Sequence, residues 1–291
     1  MDKIGRFAKA ACLQTKPVSA ISISSLHLHP VKSCRGITVQ EAALDAFGLV
    51  DDRRFLIVDS ARNFLTQRSD ARIALIEAAF EEGALVLRAP NARPFCLPPD
   101  PPSAGERTVT IWRDTVMAGD MGNGAAAWLS AVLGKPARLV RAGADFARRL
   151  PADRIPAAHV GALPDVPVAF VDAFPILVVS EASLKNLNAK LKVPLPMNRF
   201  RPNIVVKDTE PHGEDTWRIV RVGGVEFRGG GECGRCVVTT TDQLTGVRGS
   251  EPLETLAKYR RDARGAVTFG QYLMPCGPGR IRVGDSVEIL A

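Results

Sequence analysis

The chain has 291 residues, 46% of them hydrophobic and 24% charged, an ordinary globular composition that excludes disorder, collagen and coiled coil. Thirty-eight Lys and Arg against 31 Asp and Glu leave a net charge of +7, with 6% aromatic residues and no basic run of five or more. That pattern reads as a solvated basic surface and argues against nucleic acid, while leaving room for a small anionic ligand held by a few arginines. Six cysteines are too few for a disulfide scaffold.

The first 20 residues read as a flexible leader. Lys3, Arg6 and Lys9 interrupt their apolar part and no long apolar core follows, so no secretory signal is expected. No run of about 18 uncharged apolar residues occurs, so no transmembrane segment is expected either. A cytoplasmic location follows as the expectation, and cysteines there serve more often as thiols, ligands or catalysts than as bridges.

From Ile21 the elements are mostly short strands. Extended segments are predicted over 21–28, around Ile37 and Val39, over 54–58, at Val86-Leu87 and over 109–112. Helices are fewer. Asn123 is placed to cap a helix from Ala125 to Leu133 that stops at Gly134, and Ser180 to cap one carrying Leu184, Leu187 and Leu191 on one face. A third is predicted from Pro252 to Arg261. The proline-containing stretch 151–167 reads as a long loop. Strands return at 204–206, in a hairpin turning on Gly223-Gly224, and over 281–290. Spacing of this kind predicts a mixed, β-rich fold of barrel or sandwich type, without Rossmann alternation.

The densest chemical signal is Gly229-Gly230-Gly231-Glu232-Cys233-Gly234-Arg235-Cys236. It matches the dinucleotide fingerprint only formally, because the β-like run 237–242 follows where a helix is required. Its glycines allow close backbone approach to a ligand. Cys233 and Cys236 lack the second pair of a zinc site and the helical context of a thioredoxin-type dithiol. Two readings stay open: a soft thiolate ligand beside Arg235, or two inert half-buried cysteines.

Residues 233–246 continue as Cys-Gly-Arg-Cys-Val-Val-Thr-Thr-Thr-Asp-Gln-Leu-Thr-Gly. With them stand Pro30-Val31-Lys32-Ser33-Cys34, Asp52-Arg53-Arg54-Phe55, Ser180-Glu181-Ala182-Ser183-Leu184 and Asn198-Arg199-Phe200-Arg201-Pro202-Asn203. In these motifs, taken in order, the chain resembles the MOSC-domain molybdenum proteins of the mitochondrial amidoxime-reducing component type. The resemblance runs from Ile21 to Leu290. It implies an N-terminal MOSC β-barrel domain over 21–142, followed by a MOSC β-barrel domain over 143–291 with a few peripheral helices.

The resemblance also implies a site. Cys236 falls on the family's molybdenum ligand, and Lys32 and Ser33 on contacts to the pyranopterin of the molybdenum cofactor. Arg54 and Arg201 fall on arginines that meet the cofactor's anionic parts, with Asn203 and Asp242 as neighbours. Cys233 takes no role and is expected to be a bystander. Gly234 stands where relatives can carry a small hydroxyl residue. Gln243 replaces a usual proline, read as a turn detail, and no site is carried onto Ala173-Phe174. The implied activity is reduction of small N-hydroxylated compounds by oxygen-atom removal at the cysteine-ligated metal. Without an iron–sulfur segment after residue 290, an external electron donor is expected, a ferredoxin or a b5-type cytochrome with its reductase. Arg148 and Arg149 read as a solvated pair, with a channel position as the other reading. The alternatives to reduction are sulfur transfer to the cofactor through Cys236, and a carrier or chaperone without turnover.

Overall fold

A computed structural model describes residues 20–143, 145–157 and 166–291. The expected leader, apart from Ala20, and half of the 151–167 loop lie outside the described residues.

The architecture is β-rich with three α-helices among the described residues. Its largest sheet has eight strands. In spatial order they are Val287–Ile289, Ile219–Val222, Val225–Gly234, Thr268–Pro275, Ile176–Ser180, Ile204–Lys207, Ser22–Leu28 and Ile37–Val39. Ser22 bridges back to Ser286, and Val287 N donates to Ile21 O at 2.8 Å, so the sheet closes toward a barrel. The interior holds Leu26, Trp217, Phe227 and Leu273, together with Leu44 and Ile281 from a three-stranded sheet of Gly279–Arg282, Glu41–Asp45 and Gly48–Leu49.

The first strands of the chain therefore complete a barrel made mostly from its last 120 or so residues. The register explains why. Ser22–Leu28 runs antiparallel to Ile204–Lys207, with Leu26 opposite Ile204; alternation buries Leu26 and Leu28 together, and a register irregularity between Ile23 and Ser25 brings Ile23 into the same core. Strands from before residue 142 thus take part in the sheet of the later module.

The N-terminal module is built on the strand Phe55–Val58, an unbroken apolar run buried on both faces, as a strand with cover on two sides requires. Phe55 and Ile57 face Ala125, Leu129 and Leu133 of the helix Gly122–Leu133. Leu56 and Val58 face Val109, Ile111, Phe146 and Phe170.

Several predicted elements differ in detail. Asn123 lies inside the first helix, because Asp120 is the residue whose carboxylate accepts from Gly122 N, at 2.8 Å. Asn123 Oδ1 accepts instead from Arg138. Gly134 ends the helix in the left-handed conformation, as expected. Ser180 caps Glu181–Asn188 by accepting from Ser183 N at 3.0 Å. The third helix is a single turn, Leu253–Leu256. Residues 281–290 hold two strands in different sheets, not one.

Because Leu26 is fully buried in the barrel core, Leu26→Ala is expected to destabilise the protein by about 2–5 kcal/mol. Chemical denaturation followed by fluorescence of Trp217, which shares that core, measures it.

Candidate active site

A cleft opens at the seam between the two modules. The turn after Ser22–Leu28 supplies Lys32 and Ser33, and the residue two before Phe55 supplies Arg53. Arg68 comes from the turn 66–70, and Val171 to Phe174 form one wall. Phe200, Arg201 and Asn203 enter just ahead of Ile204–Lys207, and residues 233–236 with Val238 and Thr239 form the facing wall.

The local structure around the cysteines differs from expectation. The glycine run is itself part of the strand Val225–Gly234, with irregular register at 229/231 and 232/234. A Cβ on Gly229 would lie 2.2 Å from Trp217 O, and one on Gly230 2.6 Å from the Phe174 ring. Gly229 and Gly230 thus permit close packing of protein on protein, whereas Gly231 and Gly234 have open space at the Cβ position and Gly234 lines the cleft. The β-like Val237–Thr240 forms a 3-10 turn, in which Thr239 and Thr240 donate their hydroxyls to the carbonyls three residues back. Such side-chain bonds to the backbone override the strand preference of β-branched residues.

The charged side chains of the lining are five cations, Lys32, Arg53, Arg68, Arg201 and Arg235, against one carboxylate, Asp172. Lys32 Nζ donates to Phe170 O at 2.7 Å and to Asp172. Burial pulls the Lys32 ammonium down to about 8, although Asp172 opposes the shift. Confinement in the cleft would raise the Asp172 carboxyl, but Lys32 and Arg68 outweigh it and hold the group well below the usual carboxylate range. Burial also works against the Arg68 guanidinium. Asp172 and Cys236 more than offset it and raise the Arg68 pKa.

Arg201 is the least compensated of these groups. Its Nη1 donates to Cys34 O at 2.6 Å, while Nη2 is buried without a partner. Burial and the nearby Arg53 pull its pKa down to about 10. A buried guanidinium that lacks a facing carboxylate is costly unless an anion completes it. Backbone strain converges on the same place: Ser33, Arg53 and Arg201 all adopt positive φ, at 67°, 50° and 54°. Non-glycine residues hold that conformation at a cost of order 1–3 kcal/mol each, and such strain clusters at ligand clamps.

Lys32, Ser33, Arg201, Asn203 and Cys236 are thus brought to one cleft. Arg54 is not. Its Nη2 lies 2.6 and 2.8 Å from the two carboxylate oxygens of Asp45, and the guanidinium stacks 4.7 Å from the Phe47 ring, whereas Arg53 turns into the cleft. Arg53 lies in the turn before Phe55–Val58 with a left-handed backbone (φ 50°), and from that turn the two consecutive side chains leave in different directions. Asn203 acts on Arg53, accepting from its Nη1 at 2.9 Å, and spends its amide donor on His27 O. Asp242 accepts from Leu244 N and Thr245 N at 2.9 Å and shapes a turn outside the lining. Cys233 is buried and accepts from Arg235 Nη1 at 2.8 Å. Gln243 is no turn detail, since it is buried in a reciprocal amide pair with Gln67 that ties the two modules. Arg148 is buried, bonded to Asp114 at 2.6 Å and to Ala169 O and Val171 O. Arg148 is therefore not the solvated residue expected; it also lines a cavity with Trp112, Asp114 and Asp172 beside the cleft.

Arg53, Arg68 and Asp172 were not singled out from the sequence. Only the doubled arginine at 53–54 carried a usable signal, and which of the two enters the cleft is set by the left-handed turn at Arg53.

A bare metal ion has no home here: among the described residues no three or more His, Cys, Asp or Glu side chains converge. Cys236 offers one half-buried thiol. A metal bound at this thiol must bring its remaining ligands with it, and an anionic organic cofactor that does so suits both the single sulfur and the surplus of cations.

Comparison with known proteins agrees with that geometry. Residues 20–136 match the MOSC N-terminal beta barrel domain and residues 165–288 the MOSC domain. Over 286 residues the chain is 34% identical to mitochondrial amidoxime-reducing component 1 of Homo sapiens, covering 92% of this chain and 83% of that protein. The chain belongs to the MOSC family. The Xenopus laevis protein of the same name is 36% identical, covering 91% of this chain and 81% of the relative. Mitochondrial amidoxime reducing component 2 of Homo sapiens is 34% identical, with 91% and 82% covered. In this MOSC protein no helix among the described residues is long and apolar enough to cross a membrane.

The cation surplus predicts anion binding with a defined pH dependence. Inorganic pyrophosphate affinity should fall as pH rises through about 8, where Lys32 loses its proton and leaves Asp172 less neutralised. In calorimetric titrations Arg53→Ala should weaken that binding at least tenfold, whereas Arg54→Ala should change it less than twofold.

Proposed function

We propose that this MOSC protein is a molybdenum-cofactor-dependent reductase of N-hydroxylated compounds such as amidoximes, hydroxylamines and N-oxides. The observation that carries the reading is the half-buried Cys236 thiol, more open than its buried neighbour Cys233, in a cleft of five cations and one carboxylate. The names of the relatives support the substrate class.

Cys236 Sγ would hold the metal. Lys32, Ser33, Arg53 and Arg201 would hold the anionic organic part, with the unpartnered Arg201 Nη2 as a donor awaiting an acceptor. When bound, the cofactor supplies the two-electron chemistry that cleaves the N–O bond. Two protons must accompany the two electrons, so that an N–OH group leaves as N–H and water. Lys32 Nζ holds a proton of near-neutral acidity in contact with Asp172, and Phe170 O fixes its direction. An external donor, a ferredoxin or a b5-type cytochrome with its reductase, would return the electrons, and a basic protein suits an acidic partner.

Metal analysis of the purified protein beside Cys236→Ala, with an amidoxime reduction assay driven by an artificial donor, tests this. Wild type should carry close to one molybdenum per chain and reduce the substrate; the variant should lose both. Wild type without molybdenum, or a variant with equal turnover, overturns the assignment. Molybdenum without turnover under any donor identifies a carrier, and metal-free protein that accepts persulfide sulfur identifies a sulfur-transfer role.

A further inference from the structure

Arg68 belongs to the N-terminal module, yet it reaches the barrel's cysteine. Its Nη2 lies 2.9 Å from Asp172 Oδ2 and 3.3 Å from Cys236 Sγ. The guanidinium carbon sits 4.8 Å from the centre of the Trp112 ring, and that ring packs against Phe64 at 5.1 Å. Trp112 keeps 45% of its surface exposed, unusual for a residue of this size, and its place is explained by the stack.

We infer that Arg68 is a positioning residue that orients the Cys236 sulfur and tunes the electron density this sulfur passes to a metal. The inference rests on the reading of Cys236 as the metal ligand. Three physical points support it. The planar nitrogen bears two hydrogens in fixed directions, enough for one acceptor each in Asp172 and the sulfur. Stacking on Trp112 fixes the plane of the group, so the sulfur meets a donor of set direction and one side-chain rotamer is favoured. An N–H donated to a ligating sulfur withdraws density from it, and hydrogen bonds of this kind tune the potential of an attached metal. Cys233 shows the contrasting arrangement: its donor, Arg235, is anchored to Phe200 O within the barrel, and the sulfur itself is buried.

The test uses the molybdenum-loaded protein with Arg68→Met, Arg68→Lys and Trp112→Leu, reading molybdenum content, the paramagnetic resonance of the Mo(V) state and its midpoint potential. Arg68→Met should lower the potential and shift the Mo(V) g values. Trp112→Leu should shift both in the same direction by less, and Arg68→Lys should fall between wild type and Arg68→Met. A wild-type potential and spectrum in Arg68→Met overturn the proposal. Should that variant fail to fold, an unchanged Trp112→Leu overturns it equally. A second readout needs no metal. In metal-free protein, the arginine side-chain 15N resonances of Arg68 should shift, with faster N–H exchange, in Cys236→Ala; unchanged resonances overturn the contact. If wild type binds no molybdenum, the proposed function falls, while this last measurement still decides the role of Arg68 toward the sulfur.

Discussion

The strand Ser22–Leu28 is held between Ile204–Lys207 and Ile37–Val39 in a sheet otherwise drawn from the last 120 or so residues. Its apolar side chains fill a barrel that Trp217, Phe227 and Leu273 fill from the other end of the sequence. Everything at the cleft follows from that pairing. Once the strand is locked in register, the turn that follows it must emerge at the seam, carrying Lys32 and Ser33. The chain then leaves the barrel, builds the N-terminal module and returns at Val171 with Asp172 on the opposite wall. The two modules are interleaved, and hydrogen bonds such as Gln67–Gln243 cross the seam between them.

Holding them there has an energetic consequence. Five cations around a single carboxylate repel one another, and Arg201 has a buried nitrogen with no acceptor. The fold offsets part of this by internal bonds: Asp52 and Asn203 for Arg53, backbone carbonyls for Lys32 and Arg201. The remaining surplus of positive charge is of the kind that an anionic ligand offsets. The amide pair Gln67–Gln243 fastens the seam at its base. It also sits 3.5 Å from Arg201 Nη1, so the fastening and the anion site are one structure.

Local signals were read well where local physics decides. Ser180 as a cap, Gly134 as a stop and the Gly223-Gly224 hairpin depend on neighbours within a few residues, and all three stand in the structure. Val237–Thr240 misleads because its hydroxyls bond the backbone, which a propensity scale does not count. Asn123 misleads because a better acceptor, Asp120, lies three residues earlier.

The sequence alone determined the family, the β-rich class, and five of the residues that meet in the cleft, because short motifs carry chemistry in residue type and order. Which of Arg53 and Arg54 faces the seam, that Gln243 pairs with Gln67, and that Arg68 reaches Cys236 were decided only by tertiary structure. Those contacts join positions 168 and 176 residues apart or turn on the side to which a backbone points, and neither property is written in a local pattern.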